Sequence, residues 1–305
     1  MADRLMLLDT ASLYFRAFYG VPDTVRSPDG RPVNAARGLL DMIAKLVSTY
    51  EPTHVIACWD DDWRPQWRVD LIPSYKTHRV AAEVETGPDV EVVPDPLEAQ
   101  IPLIREELAV LGIPIVGVAE HEADDVIGSL ATLAQMPVDV VTGDRDLFQL
   151  VDDARDVRVI YTGRGMSHLE VLDDAAVVAK YRVLPTQYAD FAALRGDASD
   201  GLPGVAGIGE KTAATLLATH GDLAGIVSAA ERGEGMTAGI RAKLQSAADY
   251  LAVAPTVVEV VRTLALPVVD ARLRAPDAGA AERLAATWNL GSSLDRAAAA
   301  ISARA

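Results

Sequence analysis

The amino-acid sequence predicts an α/β fold: a parallel sheet with flanking helices, followed by a smaller and mainly helical domain. Strand-like and helix-like patterns alternate through the first half of the chain, as they do where helices cover both faces of a parallel sheet. The strand signals thin out after Val171, and helix-like segments replace them. A length of 305 residues suits two ordinary domains or one large α/β domain with an appendage.

Five strands are predicted in the first half of the chain. They are Leu5 to Leu8, His54 to Trp59, Ile113 to Val118, Val138 to Val141 and Val157 to Tyr161. Helix-like stretches over 35–50, 101–111 and 124–135 precede the second, third and fourth strands. The proline-containing stretch 73–100 has no clean period, so we expect an excursion from the sheet that is at least partly mobile.

The second domain is predicted to begin between Leu169 and Leu184. We therefore divide the chain into residues 1–175 and residues 176–305. The second part contains a glycine-rich joint, 201–212, that is predicted to form a tight hairpin between two helices.

Composition and charge exclude several classes of protein. Lys and Arg total 28 against 44 Asp and Glu, and the net charge of −16 argues against a simple basic coat for nucleic acid. The single cysteine, Cys58, excludes an internal disulfide and a multi-cysteine zinc site. No apolar run approaches the roughly 20 residues that span a bilayer, and Met1 to Arg4 lead into a strand rather than a signal peptide. We expect a reduced, cytoplasmic protein without a membrane partner.

Nine acidic residues fall where a metal site would form. Some follow predicted strands, whose carboxyl ends line the ligand crevice of an open parallel sheet; others begin a helix or precede the glycine joint. The nine are Asp9, Asp60, Glu122, Asp124, Asp125, Asp144, Asp146, Asp197 and Asp200. A single aspartate at a strand end is more simply interpreted as a turn or helix cap, whereas a turn or cap is an equal alternative for Asp197 with Asp200.

Together these acids predict a site for divalent cations. So many carboxylates cannot share a pocket in the ionised form unless cations neutralise them. Oxygen-only ligands favour Mg²⁺ or Mn²⁺ over zinc, and the five histidines show no ligand spacing. Paired hard cations held by carboxylates are typical of phosphodiester cleavage.

Basic and aromatic residues near these acids suit a phosphate chain with exposed bases, although a solvated basic face is the alternative. Arg16 follows Asp9, and Arg68 and the Tyr75-Lys76 pair follow Asp60. In the glycine joint, the flexible backbone and the free N–H groups of the next helix suit a phosphate. The P-loop spacing is not met there, because Glu rather than Lys follows the last glycine.

The chain resembles the bacterial 5′-nucleases, the family of the DNA polymerase I 5′-exonuclease domain and the structure-specific flap endonucleases. Several motifs carry the resemblance, in family order, over about residues 5 to 215. They are Asp9 with Arg16, Trp59-Asp60, Tyr75-Lys76 with Arg79, Glu122-Ala123-Asp124-Asp125, Asp144-Arg145-Asp146, and Gly196 to Asp200 leading into the glycine joint. The resemblance implies a PIN-like nuclease domain and a helix–three-turn–helix DNA-binding domain.

The resemblance also implies roles for individual residues. The nine acids would hold two or three Mg²⁺ or Mn²⁺ ions. Lys76 and Arg79, at the base of a helical arch over about 70–100, would act on the scissile phosphate. Arg16 and Arg68 would bind the 5′ strand. Further DNA contacts would come from Tyr75, Gly204, Gly207, Gly209 and Lys211. A K⁺ ion in the glycine hairpin would be held by the backbone carbonyls of Leu194, Arg195, Pro203, Val205 and Ile208.

The sequence departs from the family pattern in three places. Asp9 precedes Thr10 instead of the usual glycine. The stretch between Asp60 and Arg68 is one residue longer than usual, so Asp61 is an alternative ligand to Asp60. The segment after Arg79 is acidic where the family is usually basic. No polymerase region follows, and we therefore expect a free-standing nuclease.

These observations lead us to expect a metal-dependent 5′-nuclease that acts in DNA replication and repair. It would be a 5′→3′ exonuclease that prefers double-stranded DNA and an endonuclease at 5′ flaps. We expect a nucleoid-associated monomer, with a separate DNA polymerase or ligase as a candidate partner. A catalytically silent DNA-junction binder and a small-molecule phosphohydrolase are less consistent with the acids and the glycine hairpin. An RNA-directed nuclease stays open, because nothing in the sequence discriminates a 2′-hydroxyl.

Overall fold

A computed structural model describes residues 3–84 and 87–305. The strands are β1 (Leu5–Asp9), β2 (His54–Cys58), β3 (Val80–Ala82), β4 (Val90–Glu91), β5 (Ile115–Val116), β6 (Val138–Thr142), β7 (Val157–Tyr161) and β8 (Glu170–Leu172). Six of them form one sheet in the order β5-β2-β1-β6-β7-β8. Neighbouring strands are parallel except β8, which is antiparallel to β7. The predicted parallel sheet is confirmed.

The helices are α1 (Thr10–Gly20), α2 (Asn34–Tyr50), α3 (Gln66–Leu71), α4 (Asp95–Glu98), α5 (Ile101–Val110), α6 (Ala123–Leu133), α7 (Asp174–Tyr181), α8 (Tyr188–Arg195), α9 (Glu210–His220), α10 (Leu223–Arg232), α11 (Ala238–Ser246), α12 (Ala248–Val258), α13 (Ala278–Trp288) and α14 (Ser293–Ser302). Four short 3₁₀ turns lie at Thr77–Arg79, Asp146–Leu150, Asp153–Arg155 and Pro185–Gln187. In the described part of the chain, no helix is both long and apolar enough to cross a membrane.

The central strand β1 explains how the sheet is buried on both faces. Leu5 and Leu7 point into a core shared with α6, α8 and the helical domain. Met6 and Leu8 point into a second core with α1, α2 and α5, since alternate strand residues face opposite sides. The helices α13 and α14, which the sequence analysis grouped with the helical domain, pack in this second core.

The position of β1 also locates a ligand crevice. β1 lies between β2 and β6. From β2 the chain continues to β5 at one edge of the sheet, whereas from β6 it continues to β7 and β8 at the other edge. In open α/β sheets, ligands bind beyond the carboxyl ends of strands at such a switch point. Asp9 is the last residue of β1 and therefore lies at this position.

The segment expected to form a helical arch has a different structure. In the described part of 70–100, a 3₁₀ turn is followed by the hairpin of β3 and β4 and then by the single-turn helix α4. Valines 80, 84, 90, 92 and 93 and prolines 88 and 94 account for this, because β-branched residues and proline disfavour helix.

Candidate active site

A pocket of about 230 Å³ lies where β1, β2 and β6 end. Five of the nine candidate acids line it: Asp9, Asp60, Glu122, Asp124 and Asp144. Lys76 and Arg79 line it too, as does Glu91 from the β3–β4 hairpin. Glu91 was not among the predicted site residues, and its one signal in the sequence is the acidic character of its segment.

Asp9 joins the end of β1 to the beginning of α1. One carboxylate oxygen accepts a hydrogen bond from the Ser12 amide at 3.2 Å, which caps the helix, and the other accepts from Thr142 Oγ1 at 2.6 Å. Burial raises the pKa of Asp9 to about 7, the hydrogen bonds from Thr142 and Ser12 lower it, and the nearby charges of Asp60 and Asp144 raise it. A cation beside Asp9 would therefore stabilise its ionised form.

Asp60, and not Asp61, faces the pocket. An Asp60 oxygen accepts a hydrogen bond from the Ala123 amide at 2.8 Å, which ties the end of β2 to the beginning of α6. Burial raises the pKa of Asp60 to about 6, and the Glu122 carboxylate contributes. Asp61 is exposed beside Gly117, outside the pocket lining.

A second group of acids adjoins the pocket. Burial raises the pKa of Asp146 well above its usual range, and the charges of Asp144, Asp200 and Asp197 add to this. Asp146 Oδ1 is buried without a hydrogen-bond partner. Burial also raises the pKa of Asp200 to about 6. Asp144 influences the pKa of Asp124 as well, so it lies between the two groups.

Four of the candidate ligands are engaged by protein cations: Asp197 pairs with Arg195 at 3.2 Å and Asp200 with Arg79 at 3.3 Å, and the other two are Glu122 and Asp125. Glu122 accepts hydrogen bonds from Arg68 at 3.0 Å and Tyr75 at 2.6 Å, and it contacts Lys76 Nζ. Both Asp125 oxygens bind the Arg68 guanidinium. Arg68 and Tyr75 were expected to contact DNA, but these contacts bury both side chains. Asp125 was expected to hold a metal ion, but its carboxylate is buried against Arg68.

The carboxylates of the pocket and of the adjoining group fit hard cations, and other oxygens would complete the coordination of such cations. Within residues 3–84 and 87–305, no three Asp, Glu, His or Cys side chains form a ready metal-binding group. Mg²⁺ commonly binds one or two carboxylates and fills its other positions with water and phosphate oxygens. Asp146 has a buried oxygen without a partner, and burial raises the pKa values of Asp9, Asp60 and Asp124, so a bound cation would stabilise the ionised form of these carboxylates.

Lys76 and Arg79 stand at the edge of the pocket on the turn before the hairpin. Lys76 has a left-handed backbone, φ 48°, and its amide donates to the Asp200 carbonyl at 2.9 Å. Although burial alone would lower the pKa of Lys76, the Glu122 charge raises it well above its usual value. Arg79 is about one-third exposed and donates to the Ser199 carbonyl at 2.8 Å.

Arg16 borders a second, larger cavity of about 850 Å³ between α1 and α2. Its Nε is buried without a hydrogen-bond partner. Ser12 and Phe15 line both cavities, so the larger one continues from the carboxylate pocket. An anion bound in the larger cavity, next to the carboxylate pocket, would therefore contact the Arg16 guanidinium.

The glycine joint packs against the turn that carries Lys76. At Gly201, φ is +71°, and a Cβ there would lie 2.0 Å from the Ser74 carbonyl oxygen. Gly204 is equally constrained, since its Cβ would lie 2.6 Å from the Arg195 carbonyl oxygen. Beyond this contact, Gly207, Gly209 and Lys211 are exposed at the beginning of α9.

Five carbonyls were expected to hold K⁺, and two of them accept backbone hydrogen bonds. The Leu194 carbonyl accepts from the Val205 amide, and the Val205 carbonyl accepts from the Ile208 amide, both at 2.9 Å. Each carbonyl oxygen has a second lone pair, so these bonds leave coordination open. Arg195, Pro203 and Ile208 supply the other carbonyls.

Comparison of the sequence with family models and with known proteins identifies 5′-3′ exonucleases as relatives over almost the whole chain. Residues 4–182 match the model of the 5′-3′ exonuclease N-terminal resolvase-like domain, and residues 183–279 match that of the 5′-3′ exonuclease C-terminal SAM fold. A Streptomyces coelicolor protein named 5′-3′ exonuclease is 59% identical over 95% of this chain and 98% of its own length. One of the same name from Mycobacterium tuberculosis is 48% identical over 97% of each chain. A solved complex of bacteriophage T5 flap endonuclease with DNA and metal ions shares the fold, with a TM-score of 0.63 at 18% identity over 99% of this chain and 98% of that one.

Proposed function

This chain belongs to the 5′-3′ exonuclease family, and we propose that its carboxylate pocket hydrolyses phosphodiester bonds at the 5′ ends and 5′ flaps of DNA. The observation that carries the proposal is the convergence of acids from three parallel strand ends beside Lys76 and Arg79. The chain is a nuclease of this family, and we propose that it depends on divalent metal ions. Its preference for double-stranded DNA and its role in replication and repair are our proposals.

We assign the metal ions to two adjoining groups of acids. Asp9, Asp60, Asp124 and Asp144 would hold one ion, and Asp144, Asp146, Asp197 and Asp200 would hold another. When bound, hard cations of the Mg²⁺ or Mn²⁺ type would lower the pKa of an attacking water and offset charge in the in-line transition state. Glu122 lies at the pocket as the anchor of Lys76.

The cationic side chains orient the phosphate. Lys76 is held at the pocket edge by Glu122, and Arg79 presents its partly exposed guanidinium beside it. A guanidinium binds two phosphate oxygens in a fixed geometry, so Arg79 would fix the orientation of the scissile phosphate. Arg16, at the mouth of the second cavity, would bind a phosphate on the 5′ strand.

Residues beyond the pocket would grip the duplex. We propose that the hairpin 201–212 binds backbone phosphates through Gly207, Gly209 and Lys211, with K⁺ held by the five backbone carbonyls named above. These residues are exposed at the beginning of a helix, where free N–H groups favour anions. The nuclease part would end near residue 175. We also propose that the protein is a monomer that works near the nucleoid with a separate polymerase or ligase.

One assay tests the proposed function. The protein is incubated with Mg²⁺, Mn²⁺ or EDTA and a 5′-flap duplex labelled at either end, and the products are sized. We expect mononucleotides from 5′ ends and one flap-length product, both lost in EDTA. A silent DNA-junction binder would shift the DNA in a gel without cutting it. An RNA strand in place of the DNA flap would reveal an RNA-directed enzyme if it were cleaved faster.

A further inference from the structure

Arg64 is a buried arginine that does not line the carboxylate pocket. Its guanidinium nonetheless has a partner at every nitrogen. Nε donates to the Tyr75 carbonyl at 2.7 Å, and Nη2 donates to Thr77 Oγ1 at 3.1 Å and the Pro73 carbonyl at 3.4 Å. Nη1 pairs with the Asp89 carboxylate at 2.5 Å. Arg64 therefore joins two segments that are separate in sequence.

The first of these segments is the turn 73–77, which carries Lys76. Arg64 binds this turn on both sides of Lys76, through the Tyr75 carbonyl and the Thr77 hydroxyl. From the other direction, the Lys76 amide binds the Asp200 carbonyl. A left-handed backbone at a non-glycine residue is unfavourable unless its surroundings fix it, and these contacts do so.

The second segment is the hairpin that ends at β4. Asp89 accepts from the Val84 amide at 3.1 Å, and its carbonyl accepts from Trp63 Nε1 at 2.7 Å. Trp63 and Glu91, on either side of this contact, both line the pocket. The Arg64–Asp89 pair, only about a tenth exposed at most, thus holds the start of β4, at the loop end of the hairpin, beside the pocket wall.

We propose that Arg64 is a positioning residue for DNA cleavage, which acts by fixing the turn 73–77 and the start of β4 so that Lys76 meets the scissile phosphate. The inference rests on the proposed function. An arginine is needed because its planar group supplies five donors in a fixed fork, whereas a lysine supplies three donors from one point.

The decisive experiment is a double-mutant cycle between Arg64 and Lys76. Single-turnover cleavage of a 5′-flap duplex is measured at saturating protein for wild type, Arg64→Met, Lys76→Ala and the double variant. We expect Arg64→Met to slow cleavage by roughly 100-fold, as small misplacements of catalytic groups do, while DNA affinity stays within about threefold. In the Lys76→Ala background the same change should cost less than about twofold, because residues that act as a unit are not additive.

Two further variants separate positioning from stability. Arg158→Met also removes an arginine from a buried aspartate, Asp139, which keeps Arg4 as a partner away from the pocket. We expect it to lower the melting temperature without slowing cleavage. If Arg64→Met does not fold, Asp89→Asn weakens the same pair while keeping its shape, and it should replace Arg64→Met in the cycle with the same result.

The outcomes are distinct. The positioning role would be overturned if Arg64→Met, or Asp89→Asn in its place, slowed cleavage by the same factor in the wild-type and Lys76→Ala backgrounds. It would also be overturned if the folded single variant cleaved at the wild-type rate. A wild-type protein that binds but never cleaves the flap would instead contradict the proposed function, and this inference with it.

Discussion

Arg68 and Asp125 form a two-pronged ion pair, with Nη1···Oδ2 at 2.8 Å and Nη2···Oδ1 at 2.7 Å. Both side chains are buried. Arg68 Nε also donates to the Val257 carbonyl, and Asp125 Oδ1 accepts from the Val261 amide. The pair therefore fastens the end of α12 and the residues after it to α3 and α6, next to the pocket but outside its lining.

Asp125→Asn is expected to destabilise the protein. The amide removes half of the charge compensation from a buried arginine, and breaking such a pair costs about 3 to 5 kcal/mol. Urea unfolding of the metal-free protein measures this loss. Asp70→Asn, which alters an exposed acid on α3, is the control and should stay near wild type. Equal stabilities of Asp125→Asn and wild type would show that the pair contributes nothing.

Asp146→Asn is expected to have the opposite effect on stability. Asp146 is buried among like charges and has an oxygen without a partner, so a neutral side chain relieves repulsion. The melting temperature of the metal-free protein should rise by about 2 to 4 °C per kcal/mol gained. Turnover with Mg²⁺ should fall by orders of magnitude. Normal turnover of the variant would remove Asp146 from the metal site, and a lower melting temperature would contradict the repulsion argument.

Glu107 predicts a pH dependence of stability that is independent of the active site. It is buried on α5 with both carboxylate oxygens unpaired, and burial raises its pKa well above the usual range, with Glu106 adding to the effect. The folded state thus holds a proton that the unfolded state releases. This contribution is fully present below the ordinary glutamate pKa and is lost as the pH rises through the folded-state pKa.

Thermal melts from pH 5 to pH 9 test this expectation with Glu107→Gln. The variant should melt above wild type at high pH, and the gap should shrink as the pH falls. Glu106→Gln changes the exposed neighbour and should give a much smaller gap. A gap for Glu107→Gln that is constant with pH would contradict the buried-acid interpretation.

Lys211 and Lys76 are expected to separate binding from cleavage. Lys211 is exposed beyond the glycine joint, so Lys211→Ala should weaken duplex binding for all sequences and reduce the salt slope by about one charge. Lys76→Ala should leave binding near normal but slow single-turnover cleavage. Arg274→Ala, which breaks an exposed pair with Asp270, is the control. A normal affinity and slow saturated cleavage for Lys211→Ala would contradict the duplex-grip proposal.

The positions of site residues could be predicted from the sequence where those residues lie at the ends of regular strands. Asp9 and Asp60 could be assigned to one sheet edge, because parallel strands bring their carboxyl ends together. The partner of Asp125 could not be inferred, because acids in a first helical turn look alike whether they face metal or arginine. The hydrogen bonds of this pair to residues 257 and 261 join segments more than 130 positions apart.

The arch segment shows a second limit of sequence reasoning. The family resemblance implied a helix there, whereas local valines and prolines give a hairpin. The role proposed for Arg64 involves that hairpin, since its partner Asp89 directly precedes β4. A motif-based reading of the Lys76 turn identifies the lysine but not the residue that holds it.

The central claim is that acids at the strand ends, with divalent cations, carry out the cleavage, and Asp144 tests it most directly because it adjoins both groups of acids. The measurement is the single-turnover rate of 5′-flap cleavage at saturating protein, for wild type and Asp144→Asn, across a Mg²⁺ titration. We expect Asp144→Asn to bind the flap duplex as wild type does and to cleave it at least about 100-fold more slowly at every Mg²⁺ concentration. Cleavage by Asp144→Asn at the wild-type rate, or wild-type cleavage that persists in EDTA, would contradict the account.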